Sequence, residues 1–271
     1  KNYSDVLVIT DPSDYDLVLN KIIDSSISEN ERSGFAKKAF NYTADYDFQI
    51  AKYFEPSEKN SVESLLNYKI QFKEDLRYGE NPHQKGSIYS FKDSKFGIAN
   101  SRQLNGKEMS YSNYLDADSA FLVSNSFDKN CVSIIKHTNP CGLSVNDNQL
   151  QAFNDAVKGD PISAFGGIIG FNSELTLEVA ELISQSFYEV IIAPSYNELA
   201  LNKLKEKKSI RIIQAEYQSE AKPLVRSISG GILIQSSNLI DNFEFKYVTK
   251  KQPSRTQIED MILSWKLTSF I

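Results

Sequence analysis

The sequence predicts an α/β fold with a mixed, largely buried sheet, and three observations lead there. From residue 70 onward, short apolar runs alternate with segments of helical period. A shorter apolar run and two helical segments precede them, and a polar, Pro-containing stretch lies between the two regions. At 271 residues there is room for one large domain or two ordinary ones.

The segment DVLVIT reads as a short buried strand. DPSDYDLVLNKIID follows as a helix with Leu17, Val18, Leu19, Ile22 and Ile23 apolar and an N-cap near Ser13 or Asp14, so the pair forms half of a βα unit. Next, Phe35, Ala39, Phe40, Ala44, Phe48 and Ile50 recur at roughly helical spacing, with an interruption expected near Asn41–Asp45 and an end at Phe54. EPSEKNSVESLLNYK predicts a linker or domain border over residues 55–70. Beyond it GSIYSF, CVSII, FGGIIGF and EVIIAP read as strands, and NYLDADSAFLVSNSF, DNQLQAFNDAV and ELTLEVAELISQSF as helices. IRII, GGILIQSS and FKYVT continue the strand-like runs, and SRTQIEDMILSWKL closes as a helix.

Composition narrows the function classes. Hydrophobic residues at 41%, charged residues at 24% and a net charge of −5 are ordinary globular values and give no electrostatic reason to expect nucleic acid. Cys131 and Cys141 offer neither a disulfide framework nor paired metal-ligand spacing, which fits thiols in a reducing compartment. The N-terminus lacks the basic-then-apolar order of a signal peptide, and every apolar run falls far short of the roughly 20 residues a membrane helix needs. A soluble, cytoplasmic protein is expected. With no Met at Lys1 and no stop signal in TSFI, both ends read as cut.

The chemistry is expected at CVSIIKHTNPCG, where an apolar strand runs into Lys136 and His137. Ligands of open α/β sheets gather outside the carboxyl ends of strands. Neighbouring side chains on a strand point to opposite faces, so Lys136 and His137 share a site only if the backbone has left strand geometry, and the Asn139–Pro140 turn is expected to make it do so. A neutral imidazole takes a proton from a weak nitrogen nucleophile while an ammonium stabilises a developing oxyanion, a pairing suited to acyl transfer. A surface Lys beside a backbone-bonded His would give the same spacing. In DLRYGENPHQ, Arg77 offers a fork for phosphate and Tyr78 a ring for a base or sugar, or the segment is simply a turn. The glycines of DPISAFGGIIGF, Gly166 among them, mark either close approach to a ligand or relief of crowding in a buried sheet. Asn113 could cap a helix or contact a ligand, and Glu189 could bind hydroxyls or an amine or be merely solvated. Phosphate-loop and dinucleotide fingerprints are absent, as is the H-x-E with P-C-x-x-C of zinc deaminases, because Ser144 stands where a second Cys is needed.

In order, LRYGENPHQ, QLNGKEMSYSNYLDADSA, IIKHTNPCG, DPISAFGGII and EVIIAP closely resemble the family of bifunctional purine-biosynthesis enzymes that join AICAR formyltransferase to IMP cyclohydrolase. The resemblance covers nearly the whole chain. It implies formyl transfer from the cosubstrate 10-formyltetrahydrofolate to the amine of AICAR, without a metal, followed in the complete protein by closure to IMP. It makes His137 the general base and Lys136 the transition-state stabiliser, and it places Arg77, Tyr78, Asn113, Gly166 and Glu189 on the AICAR site. Lys1 falls on the cyclohydrolase catalytic lysine. The implied architecture is the end of a methylglyoxal-synthase-like domain (residues 1–60) followed by a cytidine-deaminase-like α/β unit (61–271), working as a homodimer with AICAR and folate as partners and no nucleic acid or membrane. A non-catalytic nucleotide-binding or assembly module is the alternative.

Overall fold

The computed structural model describes residues 2–54, 70–92, 94–218, 224–236, 238 and 245–270. It divides between residues 67 and 68 into two compact units. Lys1 and almost all of the expected linker lie outside the described residues.

In the first unit, the expected strand at DVLVIT does not form. A strand needs a neighbour to take its backbone hydrogen bonds, and among the described residues of this unit there is none. The Asp11 carboxylate accepts the Ser13 N–H at 2.9 Å and opens a 3-10 turn over Pro12–Asp14, which feeds helix α1 (Tyr15–Ile23). Helix α2 (Glu29–Tyr53) runs through Asn41–Asp45 without the expected interruption. That stretch holds no Gly or Pro, and Thr43 turns its hydroxyl back onto the Phe40 carbonyl at 3.1 Å instead of breaking the ladder. Lys38 bridges Asp11 and Asp14 at 2.8 and 2.6 Å, and Lys21 pairs with Glu31.

The second unit begins with an antiparallel ribbon, β1 (Ile70–Leu76) with β2 (Gly86–Phe91). Then come β3 (Arg102–Asn105), α3 (Tyr111–Ser124), β4 (Asn130–Lys136), β5 (Asn139–Asn146), α4 (Gln149–Gly159) and the short α5 (Pro161–Ala164). The chain continues through β6 (Ile168–Phe171), α6 (Leu177–Ile183), β7 (Val190–Ala193), α7 (Glu198–Lys205) and β8 (Arg211–Gln214). A second ribbon, β9 (Leu224–Ile228) with β10 (Gly231–Gln235), precedes α8 (Arg255–Leu267), whose start is fixed by a capping box between Ser254 and Gln257. FKYVT does not form the strand its pattern suggested.

Six strands make the expected mixed sheet in the order β3-β8-β7-β6-β4-β5, with β6, β7 and β8 parallel and the other pairs antiparallel. Alternation along the strands serves two cores. Ile134, Ile169, Ile191 and Ile212 pack with Phe153, Val179, Ile183 and Leu204 from α4, α6 and α7. Ile135, Ile168, Val190, Ile192 and Ile213 pack on the other face with Ala117, Ala120 and Phe121 of α3. Both faces are therefore covered, which is why these strands read as continuous apolar runs. Among the described residues no helix is long and apolar enough to cross a membrane.

Candidate functional site

The register of the sheet gathers the candidate residues along one edge. Ile135 of β4 pairs with Ile168 of β6, so the end of β4 at Lys136 lies at the start of β6. Because β6, β7 and β8 run parallel, Gly166, Glu189 and Arg211, all at or just before their starts, share that edge. Lys136 thus stands at the carboxyl end of β4, whereas Gly166, Glu189 and Arg211 stand at the amino ends of the parallel strands. The cause is that β4 is antiparallel to β6.

The backbone does leave strand geometry after Lys136, but not at Asn139–Pro140. Asn139 pairs with Lys136 as the first residue of β5, and Pro140 sits in that edge strand beside a register shift, where its missing N–H is tolerated. The turn is made by His137 and Thr138, with φ of 54° and 64°. Positive φ at both central residues is the signature of a two-residue type I′ hairpin, a conformation usually left to Gly and Asn. In a β-branched residue such as Thr138 it is an outlier. The His137 carbonyl accepts from Thr138 Oγ1 at 2.7 Å and Asn139 Nδ2 at 3.0 Å, and Asp116 Oδ1 accepts the Thr138 N–H at 2.7 Å. His137 is exposed, and no hydrogen bond engages its imidazole among the described residues.

Lys136, half-buried, donates from Nζ to the Phe165 carbonyl at 3.0 Å, leaving two ammonium protons for another acceptor. Next to Phe165, Gly166 adopts φ +74° and donates its N–H to the Phe187 carbonyl at 2.8 Å. A side chain at Gly166 would be strained whatever the space. Gly170 is different, since a Cβ there would come within 2.3 Å of the Ala120 carbonyl, so it relieves crowding in the sheet. The rings of Phe165 and Phe187, 59% and 39% exposed, stand 5.6 Å apart. Hydrogen bonds from Ser163, first its hydroxyl and then its N–H, hold the Asp160 carboxyl below the usual range, with the charge of Lys136 adding to them.

Asn113 does two jobs. It closes a capping box with Ser110 at the start of α3, and its Nδ2 donates to Glu189 Oε2 at 2.9 Å. Arg211 approaches the same carboxylate at 4.0 Å while donating from Nε to the Glu108 carbonyl at 3.1 Å. Glu189 is thus held on one side and remains partly open on the other. Arg77 and Tyr78 lie on a different element, the loop closing the β1–β2 ribbon, with the guanidinium 5.5 Å from its neighbour's ring centroid. That ribbon meets α3 where Tyr114 donates to Glu74 at 2.9 Å. Among the described residues no group of His, Cys, Asp or Glu gathers to hold a metal ion.

A family model described as the AICARFT/IMPCHase bienzyme matches residues 1–271. The chain belongs to this family. It is similar to the bifunctional purine biosynthesis protein PurH of Lactococcus lactis subsp. cremoris (strain MG1363), 41% identical with 100% of this chain and 54% of the relative covered. PurH of Aquifex aeolicus (strain VF5) is 40% identical, with 98% of this chain and 53% of the relative covered. The corresponding protein of Dictyostelium discoideum is 38% identical, with 100% and 57% covered. The chain spans about half the length of these curated relatives. In this bienzyme-family chain the structure brings Lys136, His137, Gly166, Asn113 and Glu189 to one edge, and adds Asp116, Phe165 and Arg211, which the sequence reading did not single out.

Proposed function

We propose that this chain supplies the AICAR-binding side of a formyltransferase in purine biosynthesis. The donor is 10-formyltetrahydrofolate, and the cyclohydrolase of the complete bienzyme closes the product to IMP. The observation that carries this reading is the strained turn that takes His137 out of strand geometry beside Lys136, because strain of that kind persists at sites where geometry is the function.

In the reaction the AICAR amine attacks the formyl carbon. His137 accepts the amine proton as the new C–N bond forms, and Lys136 stabilises the oxyanion of the tetrahedral intermediate with its free ammonium protons. The bond to the folate nitrogen then breaks, and that nitrogen leaves with a proton. Asn113 and Glu189 line the AICAR pocket with Gly166, whose lack of a side chain keeps the edge open. Arg77 and Tyr78 serve the phosphate and the sugar or base. No metal takes part. Residues 1–60 are assigned to the end of a methylglyoxal-synthase-like cyclohydrolase domain, with Lys1 as its catalytic lysine, and 61–271 to a cytidine-deaminase-like formyltransferase unit. The working form is a cytoplasmic homodimer, a placement supported by two free thiols.

The test is to supply AICAR and 10-formyltetrahydrofolate to this chain, alone and with the remaining half of a relative, and to follow release of tetrahydrofolate. Turnover with the complementing half is expected. AICAR binding without turnover in any combination would favour the non-catalytic module instead.

A further inference from the structure

We infer that Asp116 is the positioning residue for His137, acting through the Thr138 backbone; this rests on the formyl-transfer reading above. The two-residue connection between Lys136 and Asn139 is of the type I′ kind, with positive φ at both His137 and Thr138. Left-handed backbone is strained for a residue with a side chain, and such a turn lasts only where its surroundings hold it. Two of the hydrogen bonds described, from Thr138 Oγ1 and Asn139 Nδ2 to the His137 carbonyl, are local to the turn and would move with it. The third ties it down. The Thr138 N–H donates to the Asp116 carboxylate on α3, and a charged acceptor makes this bond stronger than a neutral one.

Helix α3 is itself fixed, since Ala117 and Ala120 are fully buried in the core beneath it. Asp116 lies three residues beyond Asn113, on the same helix face, and Asn113 holds Glu189. One rigid element therefore sets both the turn that carries the base and the carboxylate of the proposed substrate pocket. Asp116 touches no reacting atom; its contribution is where the imidazole points.

The experiment compares Asp116→Ala, Asp116→Asn and His137→Ala in a full-length form carrying this chain, with hydrogen exchange at the Thr138 amide as a second measurement. Misplacement of the base should lower kcat in Asp116→Ala by about a hundredfold, with KM for AICAR within about twofold of the parent. Asp116→Asn keeps an acceptor oxygen and should restore kcat to within a few-fold, and Thr138 exchange should quicken in the alanine variant alone. Parent kcat in Asp116→Ala beside a slow His137→Ala would overturn the positioning role by itself. So would unchanged Thr138 exchange, or an asparagine variant as slow as the alanine one. Parent-rate formylation by His137→Ala would overturn the functional reading and this role with it.

Discussion

The two units use apolar residues in opposite ways. In the second, Ile134, Ile135, Ile169, Ile191, Ile192, Ile212 and Ile213 are all 2% exposed or less, closed between helices on both faces of a six-stranded sheet. In the first, Val18 is the one buried apolar side chain among the described residues, while Leu17, Leu19, Ile22, Ile23 and Phe40 are each more than half exposed. Two helices and an irregular strand-like segment cannot cover one another as a sheet between helices can. The sheet unit carries its own core and holds a strained turn at its edge, whereas the contacts of the helical unit include local ion pairs and a side-chain cap near its surface.

The largest contrast should come from truncating one side chain in each unit. Ile191→Ala empties a fully buried site and should cost about 2–5 kcal/mol of unfolding free energy in urea. Leu19→Ala, at a side chain 57% exposed, should stay within about 0.5 kcal/mol. Equal effects would erase the distinction between the units.

Acid should separate them next. The Lys21 ammonium, with hydrogen bonds from Ser28, lowers the Glu31 carboxyl to about 2, and Lys38, helped by Ser13, holds Asp11 below the usual range. A carboxyl whose pKa is depressed in the folded state stabilises it fully above the unfolded value of about 4, and that contribution is lost as pH falls toward the folded one. Helical circular dichroism should therefore show α1 and α2 loosening between about pH 4 and pH 2, with Glu31→Gln weakening that dependence. A loss confined to neutral or alkaline pH would contradict the assignment.

The smallest effect concerns the thiols, both in the sheet unit. Burial pushes the Cys131 thiol up to about 12 and raises that of the half-buried Cys141 as well. An alkylating reagent at pH of about 8, followed by mass spectrometry, should label Cys141 slowly and Cys131 only on unfolding. Early labelling of Cys131 would mean that its core opens locally.

Much of the sheet unit was legible because strands buried on both faces carry their own signal: CVSII, IIGF, VIIA and IRII are short apolar runs that the structure turns into β4, β6, β7 and β8. β1, β3, β5 and β9 escaped because strands that are exposed, like β1 and β9, or only partly buried, like β3 and β5, alternate weakly. DVLVIT failed for the converse reason: it has strand composition but no partner among the described residues, which no local pattern reveals. In the candidate site, Lys136 and His137 are neighbours in the chain and could be found there. Phe165 reaches Lys136 across 29 residues, Asp116 reaches Thr138 across 22 and Glu189 reaches Asn113 across 76, and only the sheet register together with the packing of α3 on the sheet brings such pairs together.

The most direct test of the central claim is the rate of AICAR formylation by a full-length form in which His137 is replaced by Ala, measured beside closure of separately supplied formyl-AICAR. Formylation should fall by about two to four orders of magnitude, the range expected for loss of a general base, while ring closure continues unchanged. Formylation at the parent rate would show that the turn at His137 does not carry the chemistry.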